Sequence, residues 1–169
     1  FDLDSNQDYG DAPLSYGTEW VDNGARHVPF GPTLGLLRDA EPDGLASSDA
    51  TGDDQSQFDD EDELMFQQGQ ASATVFVGNT SSMARLDGWI DFNGNGNWDD
   101  PGEQSFASLD LTPGPHELLF TVPEDAQIGD TFARLRISSA GGLAPTGGAF
   151  DGEVEDHVVT IRGDRVLDY

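Results

Sequence analysis

The segment from Asp91 to Glu103 has the residue types and the spacing of a cation-binding loop. Counted from Asp91 as position 1, side-chain oxygens recur at positions 3, 5 and 9, glycine stands at position 6, and the carbonyl of Asn97 is available at position 7. Hard oxygen donors in this order begin an EF-hand type of calcium loop, which holds its ion at about 2.4 Å. The candidate ligands are Asp91, Asn93, Asn95, Asn97, Asp99 and Glu103, and Asp100 is a further acid of the loop.

The loop departs from an EF-hand in two ways. Position 12, where an EF-hand has the acid that completes the calcium coordination shell, is Gly102, and the nearest acid is Glu103, one residue later. The residues before Asp91 predict a strand rather than a helix, so the site is expected to be static and not a sensor that opens. Three carboxylates in reach, those of Asp91, Asp99 and Glu103, predict a Kd of roughly 10⁻⁵ to 10⁻³ M for calcium. The alternative is an Asn-Gly turn between strands that binds no ion.

A second concentration of acids lies between Asp39 and Glu63, with eleven acidic residues and no basic one. Such a block repels itself unless a cation neutralises it. It predicts a second calcium site, so that the chain holds one to three ions in all, and the alternative is an acidic solvated loop. The candidate ligands are Asp49, Asp53, Asp54, Asp59, Asp60 and Asp62.

Charged residues from both ends of the chain predict an ion-pair network, because the planar guanidinium of arginine binds carboxylates with two parallel hydrogen bonds. Its candidate members are Asp8, Asp11, Arg134, Arg136, Glu153, Glu155 and Asp156. The alternative is that a bound cation neutralises these acids. Two aromatic residues, Tyr16 and Trp20, are candidates for stacking against sugar rings.

Composition excludes several functions. The chain of 169 residues has 33 acids against seven arginines and no lysine, a net charge of −26, which disfavours nucleic acid and anionic membranes as partners. It has no cysteine, and its three histidines lack zinc-site spacing. No apolar run reaches the roughly 18 residues that membrane insertion requires. Adaptation to high salt remains a second explanation for part of the acidity.

Short β-branched and aromatic runs, bounded by Gly, Pro, Asn and Asp, predict an all-β fold. The predicted strands are 71–77, 84–92, 105–111, 116–122, 131–138 and 154–161. Their number and spacing indicate an antiparallel, jelly-roll-like β-sandwich. In 131–138, Ala133, Leu135 and Ile137 share the face that is expected to form core, and Arg134 and Arg136 share the other.

The chain is interpreted as one domain, residues 1–169. Residues 1–65 have little periodicity and are expected to form a long, loop-rich cap that calcium pins to the sandwich. The sandwich core is expected over 66–162, and 163–169 form a tail or linker. Since the sequence begins at Phe1, we expect it to be part of a longer, multidomain chain.

Several motifs together resemble the GEVED domain. They are Gly152-Glu153-Val154-Glu155-Asp156, Asp8-Tyr9-Gly10-Asp11-Ala12-Pro13, Gly24-Ala25-Arg26-His27, the acidic motifs Asp53-Asp54 and Asp59-Asp60-Glu61-Asp62, Gly88-Trp89-Ile90-Asp91-Phe92-Asn93, Gly102-Glu103 and Ala133-Arg134-Leu135-Arg136. They run from residue 8 to about 161. One departure is Glu63-Leu64, where the family commonly has Gly-Val.

The resemblance implies a non-catalytic module of large bacterial proteins that are secreted or displayed on the cell surface. We therefore expect a calcium-binding extracellular module that acts in adhesion or as a spacer, with polysaccharide or another cell-surface component as its partner. One alternative is a carbohydrate-binding module attached to a polysaccharide-degrading enzyme. A second is a hydrolase that uses paired carboxylates.

Overall fold

The computed structural model describes residues 6–36, 43–50 and 64–163, without the side chains of residues 64 and 65. This part of the chain contains eleven strands and two short 3₁₀ helices. The strands are β1 (Asp8–Tyr9), β2 (Arg26–His27), β3 (Thr33–Leu34), β4 (Leu64–Gln67), β5 (Gly69–Gly78), β6 (Ala84–Ile90), β7 (Gln104–Leu111), β8 (Gly114–Val122), β9 (Gly129–Ser138), β10 (Gly148–Ala149) and β11 (Glu153–Arg162). The 3₁₀ helices are Leu14–Tyr16 and Trp20–Asp22.

Two sheets form the body of the fold. The larger has the order β4-β11-β9-β6-β7, and the smaller has the order β3-β5-β8. Every pairing in them is antiparallel except that of β4 with β11. The predicted all-β, sandwich-like architecture is confirmed, and the six predicted strands correspond to β5, β6, β7, β8, β9 and β11.

The apolar core lies between these two sheets. The larger sheet contributes Leu86, Ile137 and Ile161, none of which is exposed, and the smaller sheet contributes Leu118 and Phe120. The alternation of apolar and polar residues along each strand places these side chains on the inner faces. Burial of this apolar surface is the main driving force that holds the two sheets together.

Part of the opposite face of the larger sheet is also buried. Its aromatic residues Trp89 and Phe132 pack with Ala12, Tyr16 and Trp98 in a second cluster. Arg134 and Arg136, which the strand pattern places away from the apolar core, are 0% exposed. The N-terminal segment and the stretch before β11 cover them, so both faces of β9 are interior.

The covering layer is made of short elements. β1 pairs antiparallel with β2, and β10 pairs parallel with β2, so that the N-terminal segment and the stretch before β11 form one small sheet. The two 3₁₀ helices lie between β1 and β2. Within the described ranges, no helix has the length and apolar character needed to cross a membrane.

Candidate functional site

The predicted cation-binding loop joins two neighbouring strands of the larger sheet. It begins directly after β6 and ends where β7 starts, and a hydrogen bond of 3.0 Å from the amide of Ile90 to the carbonyl of Glu103 closes its neck. Gly94 and Gly96 have φ values of +67° and +88°, which side-chain-bearing residues rarely adopt. The Asn-Gly repeats therefore allow the backbone to coil tightly between the two strands.

Asp91 organises the loop. Its Oδ1 accepts hydrogen bonds from the amides of Gly94 at 2.6 Å and Asn95 at 3.2 Å, and its Oδ2 accepts from the amide of Gly96 at 2.9 Å. The hydroxyl of Tyr16 donates to the same Oδ2 at 2.7 Å. Burial and this carboxylate raise the pKa of Tyr16 above its usual range, so the hydroxyl keeps its proton. A residue of the N-terminal segment is thereby bonded to the loop.

The loop asparagines stabilise the coil. The Oδ1 atoms of Asn93 and Asn95 accept from backbone amides two residues further along, at 3.0 and 3.2 Å. Their side-chain amides both donate to Oδ2 of Asp100. Asn97 likewise accepts from the amide of Asp99, at 2.9 Å. The structure thus brings Asp100 to the candidate ligands, and the Asp99 side chain is exposed.

Glu103 is the most unusual carboxylate of the loop. Only 1% of the residue is exposed, and its Oε2 accepts from the amide of Asp100 at 3.3 Å. Its Oε1 is buried and has no hydrogen-bond partner. Burial, with additional repulsion from Asp91 and Asp100, raises the pKa of Glu103 to about 7. An ionised carboxylate in this position requires a positive charge beside it.

The donor set of this loop fits a hard cation only if neutral oxygens take part. No three His, Asp or Glu side chains among the described residues come together as a metal cluster by themselves. A complete coordination shell would need neutral oxygens from Asn93, Asn95 and backbone carbonyls. The carboxylates in reach are those of Asp91, Asp100 and Glu103. Calcium accepts such mixed oxygen ligands, whereas zinc prefers nitrogen and sulfur.

The second predicted calcium site falls mostly outside the described residues. Asp49 is exposed in a turn. The other candidate ligands, Asp53, Asp54, Asp59, Asp60 and Asp62, lie outside the part of the chain that the structure describes. The second site stays a prediction.

The predicted ion-pair network contains one fully buried pair. Nε and Nη2 of Arg134 each donate to a carboxylate oxygen of Asp156 at 2.7 Å, and both side chains are 0% exposed. The amide of Ala12 donates to the same carboxylate at 2.8 Å. Gly10 lies so close that a Cβ there would collide with the pair. Asp11, another candidate member, is also buried.

Arg136 lies against backbone carbonyls rather than a carboxylate. Its Nη1 donates to Ala144 at 2.7 Å, and its Nη2 donates to Gly147 at 2.8 Å. Its Nε donates to Nε2 of His27 at 3.0 Å, while Nδ1 of His27 lies 2.6 Å from the carbonyl of Asp151. His27 is therefore neutral and carries its proton on Nδ1. Burial lowers the pKa of Arg136 to about 9, so it remains charged at neutral pH.

Two further acids of the predicted network, Asp8 and Glu153, bind backbone amides. Oδ2 of Asp8 accepts from the amide of Val154 at 2.7 Å, and Oε2 of Glu153 accepts from Leu34 at 2.5 Å. Glu155 is only partly buried and lies on the opposite side of β11 from the ion pair. The Gly152–Asp156 motif therefore connects β11 to β1, β3 and β9 through different side chains.

The two candidate sugar-stacking residues have different environments. The ring of Tyr16 is buried, with its centroid 4.4 Å from that of Trp98 and 5.2 Å from that of Phe132. Only 7% of the residue is exposed. Its hydroxyl donates a hydrogen bond to Asp91, a contact that the sequence pattern did not indicate. Trp20 is 47% exposed and has the guanidinium of Arg26 4.3 Å from its ring centroid.

A cavity of about 290 Å³ lies beside the loop. Its walls come from the first 3₁₀ helix, the end of the second, the loop itself and the stretch before β10. The polar lining residues are Ser15, Asp22, Asn97, Asp99 and Thr146. The cavity is at the lower limit of the size that small ligands occupy.

Comparison with protein families agrees with the motifs. Residues 85–160, which run from β6 into β11 and include the loop and the buried ion pair, match the family model of the GEVED domain. No curated protein is similar enough to the chain to be matched to it. The resemblance predicted from the sequence is confirmed over this region, and residues 85–160 belong to the GEVED domain family.

Proposed function

We propose that the loop from Asp91 to Glu103 binds one Ca²⁺ and that the chain is a calcium-stabilised, non-catalytic binding or spacer module. The observation that carries this proposal is the buried Oε1 of Glu103, which has no hydrogen-bond partner. Burying such an atom without a partner costs on the order of 1–3 kcal/mol, more when it is charged. A cation beside it removes this cost and offsets the repulsion from Asp91 and Asp100.

The proposed ligands include Asp100 in place of Asp99. Asp100 is the acid that contacts Asn93 and Asn95, whereas Asp99 points toward the cavity. Asp91, Asp100 and Glu103 provide the charge, and asparagine side chains with the carbonyl of Asn97 provide neutral oxygens. When bound, the ion supplies only a positive charge that cross-links these ligands.

Calcium binding would stabilise more than the loop. The loop joins β6 to β7, and Asp91 holds the N-terminal segment through Tyr16. Binding to the folded chain alone adds RT ln(1 + [Ca²⁺]/Kd), about 2.7 kcal/mol at a hundredfold excess of calcium over Kd. The module would thus reach full stability only where calcium is abundant.

The test is thermal unfolding in EGTA and in millimolar calcium, for the unmodified chain and two variants. We expect calcium to raise the Tm by about 5–10 °C, since 1 kcal/mol shifts a domain of this size by about 2–4 °C. Glu103→Gln should lose most of this shift. Glu117→Gln, the same change at an exposed position on β8, should keep it. Equal melting temperatures in EGTA and calcium would refute the proposal.

The proposed setting is a larger bacterial protein, secreted or displayed on the cell surface. The GEVED domain match supports this setting, because the resemblance implies extracellular modules. External calcium is plentiful enough for a site of moderate affinity. A non-catalytic role is supported by the burial of Asp91 and Glu103, whose carboxylates face loop amides rather than an open cleft.

Carbohydrate binding is a second candidate function, favoured by the cavity beside the loop and by the exposed ring of Trp20. Affinity gels that contain soluble polysaccharides test it. Retardation that Trp20→Ala or Asp22→Asn abolishes would support this function. Unaltered migration in every gel, by a chain that still responds to calcium, would favour the spacer role.

A further inference from the structure

The loop contains two Asn-Gly dipeptides, Asn93-Gly94 and Asn95-Gly96, and both asparagines are exposed. Asn-Gly is the dipeptide most prone to deamidation, because glycine places no side chain in the way of attack. The backbone nitrogen of the glycine attacks Cγ of the asparagine, a C–N bond forms, and ammonia leaves with the proton of that nitrogen. Water then opens the succinimide ring to aspartate or isoaspartate.

Both attacking nitrogens are occupied in the folded loop. The amides of Gly94 and Gly96 donate to the carboxylate of Asp91, at 2.6 and 2.9 Å. Each nitrogen must give up a hydrogen bond to a buried carboxylate before it can turn toward the neighbouring side chain. Bonds of this charge-assisted kind are the stronger ones in proteins.

The leaving groups are held as well. The side-chain amides of Asn93 and Asn95 both donate to Oδ2 of Asp100. Their Oδ1 atoms accept from backbone amides, which fixes the orientation of each Cγ. One aspartate therefore holds both nucleophiles and another holds both departing nitrogens.

We propose that Asn93 and Asn95 are latent deamidation sites, and that Asp91 and Asp100 keep them unreactive in the folded loop. Opening of the loop exposes both sites to reaction. Deamidation then replaces an amide that donates to Asp100 by a carboxylate that repels it. The proposal concerns the hydrogen bonds of the loop and does not depend on a bound ion.

The chain contains its own control. Asn23-Gly24 is a third Asn-Gly dipeptide, but its glycine amide donates to the carbonyl of Glu19 at 2.8 Å and its asparagine accepts from Arg26. None of these groups belongs to the loop. A change confined to the loop should leave the rate at Asn23 unaltered, whereas general unfolding should raise it.

The experiment incubates the chain in EGTA at mildly alkaline pH and follows deamidation at each asparagine by peptide mass spectrometry. In the native chain we expect Asn93 and Asn95 to react about tenfold or more slowly than in the urea-unfolded chain, since at least one charge-assisted hydrogen bond must break first. Equal rates in the native and unfolded chains would overturn the proposal, and this comparison requires no variant.

Two substitutions test whether Asp91 and Asp100 are the residues that slow deamidation in the folded loop. Asp91→Ala, with folding checked by circular dichroism, should raise the rates at both loop sites about tenfold. The rate at Asn23 should change far less, because Asp91 contacts that part of the chain only through Tyr16. Asp100→Ala should raise both loop rates by a smaller factor, because the glycine amides stay bonded to Asp91. Unchanged loop rates in a folded Asp91→Ala chain would overturn the role of Asp91. If that variant unfolds and Asn23 also accelerates, the result for Asp100→Ala decides.

Discussion

Replacing Asp156 by asparagine should destabilise the protein more than any conservative surface change. The substitution keeps the size of the side chain but removes its charge and one acceptor oxygen. In the native protein this carboxylate accepts two hydrogen bonds from Arg134 at 2.7 Å and one from Ala12 at 2.8 Å, and neither partner of the ion pair is exposed. Asp156→Asn therefore leaves the guanidinium of Arg134 in the interior without its counter-charge.

The size of the loss follows from that burial. Removing one partner of a buried ion pair typically costs about 3–5 kcal/mol, because the remaining charge has lost water and gained nothing. For a domain of this length the Tm should fall by about 6–20 °C. The loss should be at the upper end of this range, since Arg136 is a second buried guanidinium on the same face of β9.

Urea unfolding in saturating calcium measures the effect. The matched control is Asp110→Asn, which breaks the pair of Arg85 with Asp110 at 3.1 Å, where the side chains are 44% and 58% exposed. That variant should lose less than about 1 kcal/mol. If Asp156→Asn cost no more than Asp110→Asn, the idea that a buried ion pair holds the N-terminal segment on the larger sheet would be wrong.

Three further predictions concern the loop and the ion pair. Because the pKa of Glu103 is raised from 4.5 to about 7, the calcium-free chain should lose stability as the pH rises between these values, which urea unfolding at several pH values measures. The affinity for calcium should fall as the pH drops below about 7, because Glu103 is then protonated, and calorimetric titration measures this change. Gly10→Ala should lower the free energy of unfolding in urea by about 1–3 kcal/mol, since the added Cβ would collide with the side chains of Asp156 and Arg134. Tyr16→Phe removes a hydrogen bond of 2.7 Å to Asp91 and should cost about 1.5–3 kcal/mol, whereas an unchanged urea midpoint would show that this bond does not hold the segment.

The strands were the most predictable part of the protein. Each of the six predicted strands lies within or overlaps an observed one, because alternation and bounding turn residues are local signals. The parallel pairing of β4 with β11 was not predictable in this way. It joins residues almost a hundred positions apart, such as Leu64 and Val159, and no local pattern specifies such a partner.

The loop was predicted as a unit, but its internal contacts were not. Spacing alone identified Asp91 and Glu103 as candidates, because the loop is continuous in sequence. Spacing favoured Asp99 at position 9, whereas the structure brings Asp100 to the asparagines. The hydroxyl of Tyr16, 75 positions away in sequence, joins the site only through the tertiary fold.

An all-β fold, the strong acidity, the GEVED motifs and an oxygen-rich loop after one of the strands can all be predicted from the sequence, because composition, periodicity and motifs are properties of neighbouring residues. Which charged side chains are buried depends on the tertiary structure. Arg134 and Arg136 alternate with core residues as they would on a solvent-facing strand, yet both are fully buried. The N-terminal segment and the stretch before β10 both supply carbonyl partners, such as Gly17 for Arg134 and Gly147 for Arg136, and β11 supplies Asp156. Burial of a charge depends on such distant partners, and for that reason it could not be predicted from the local pattern.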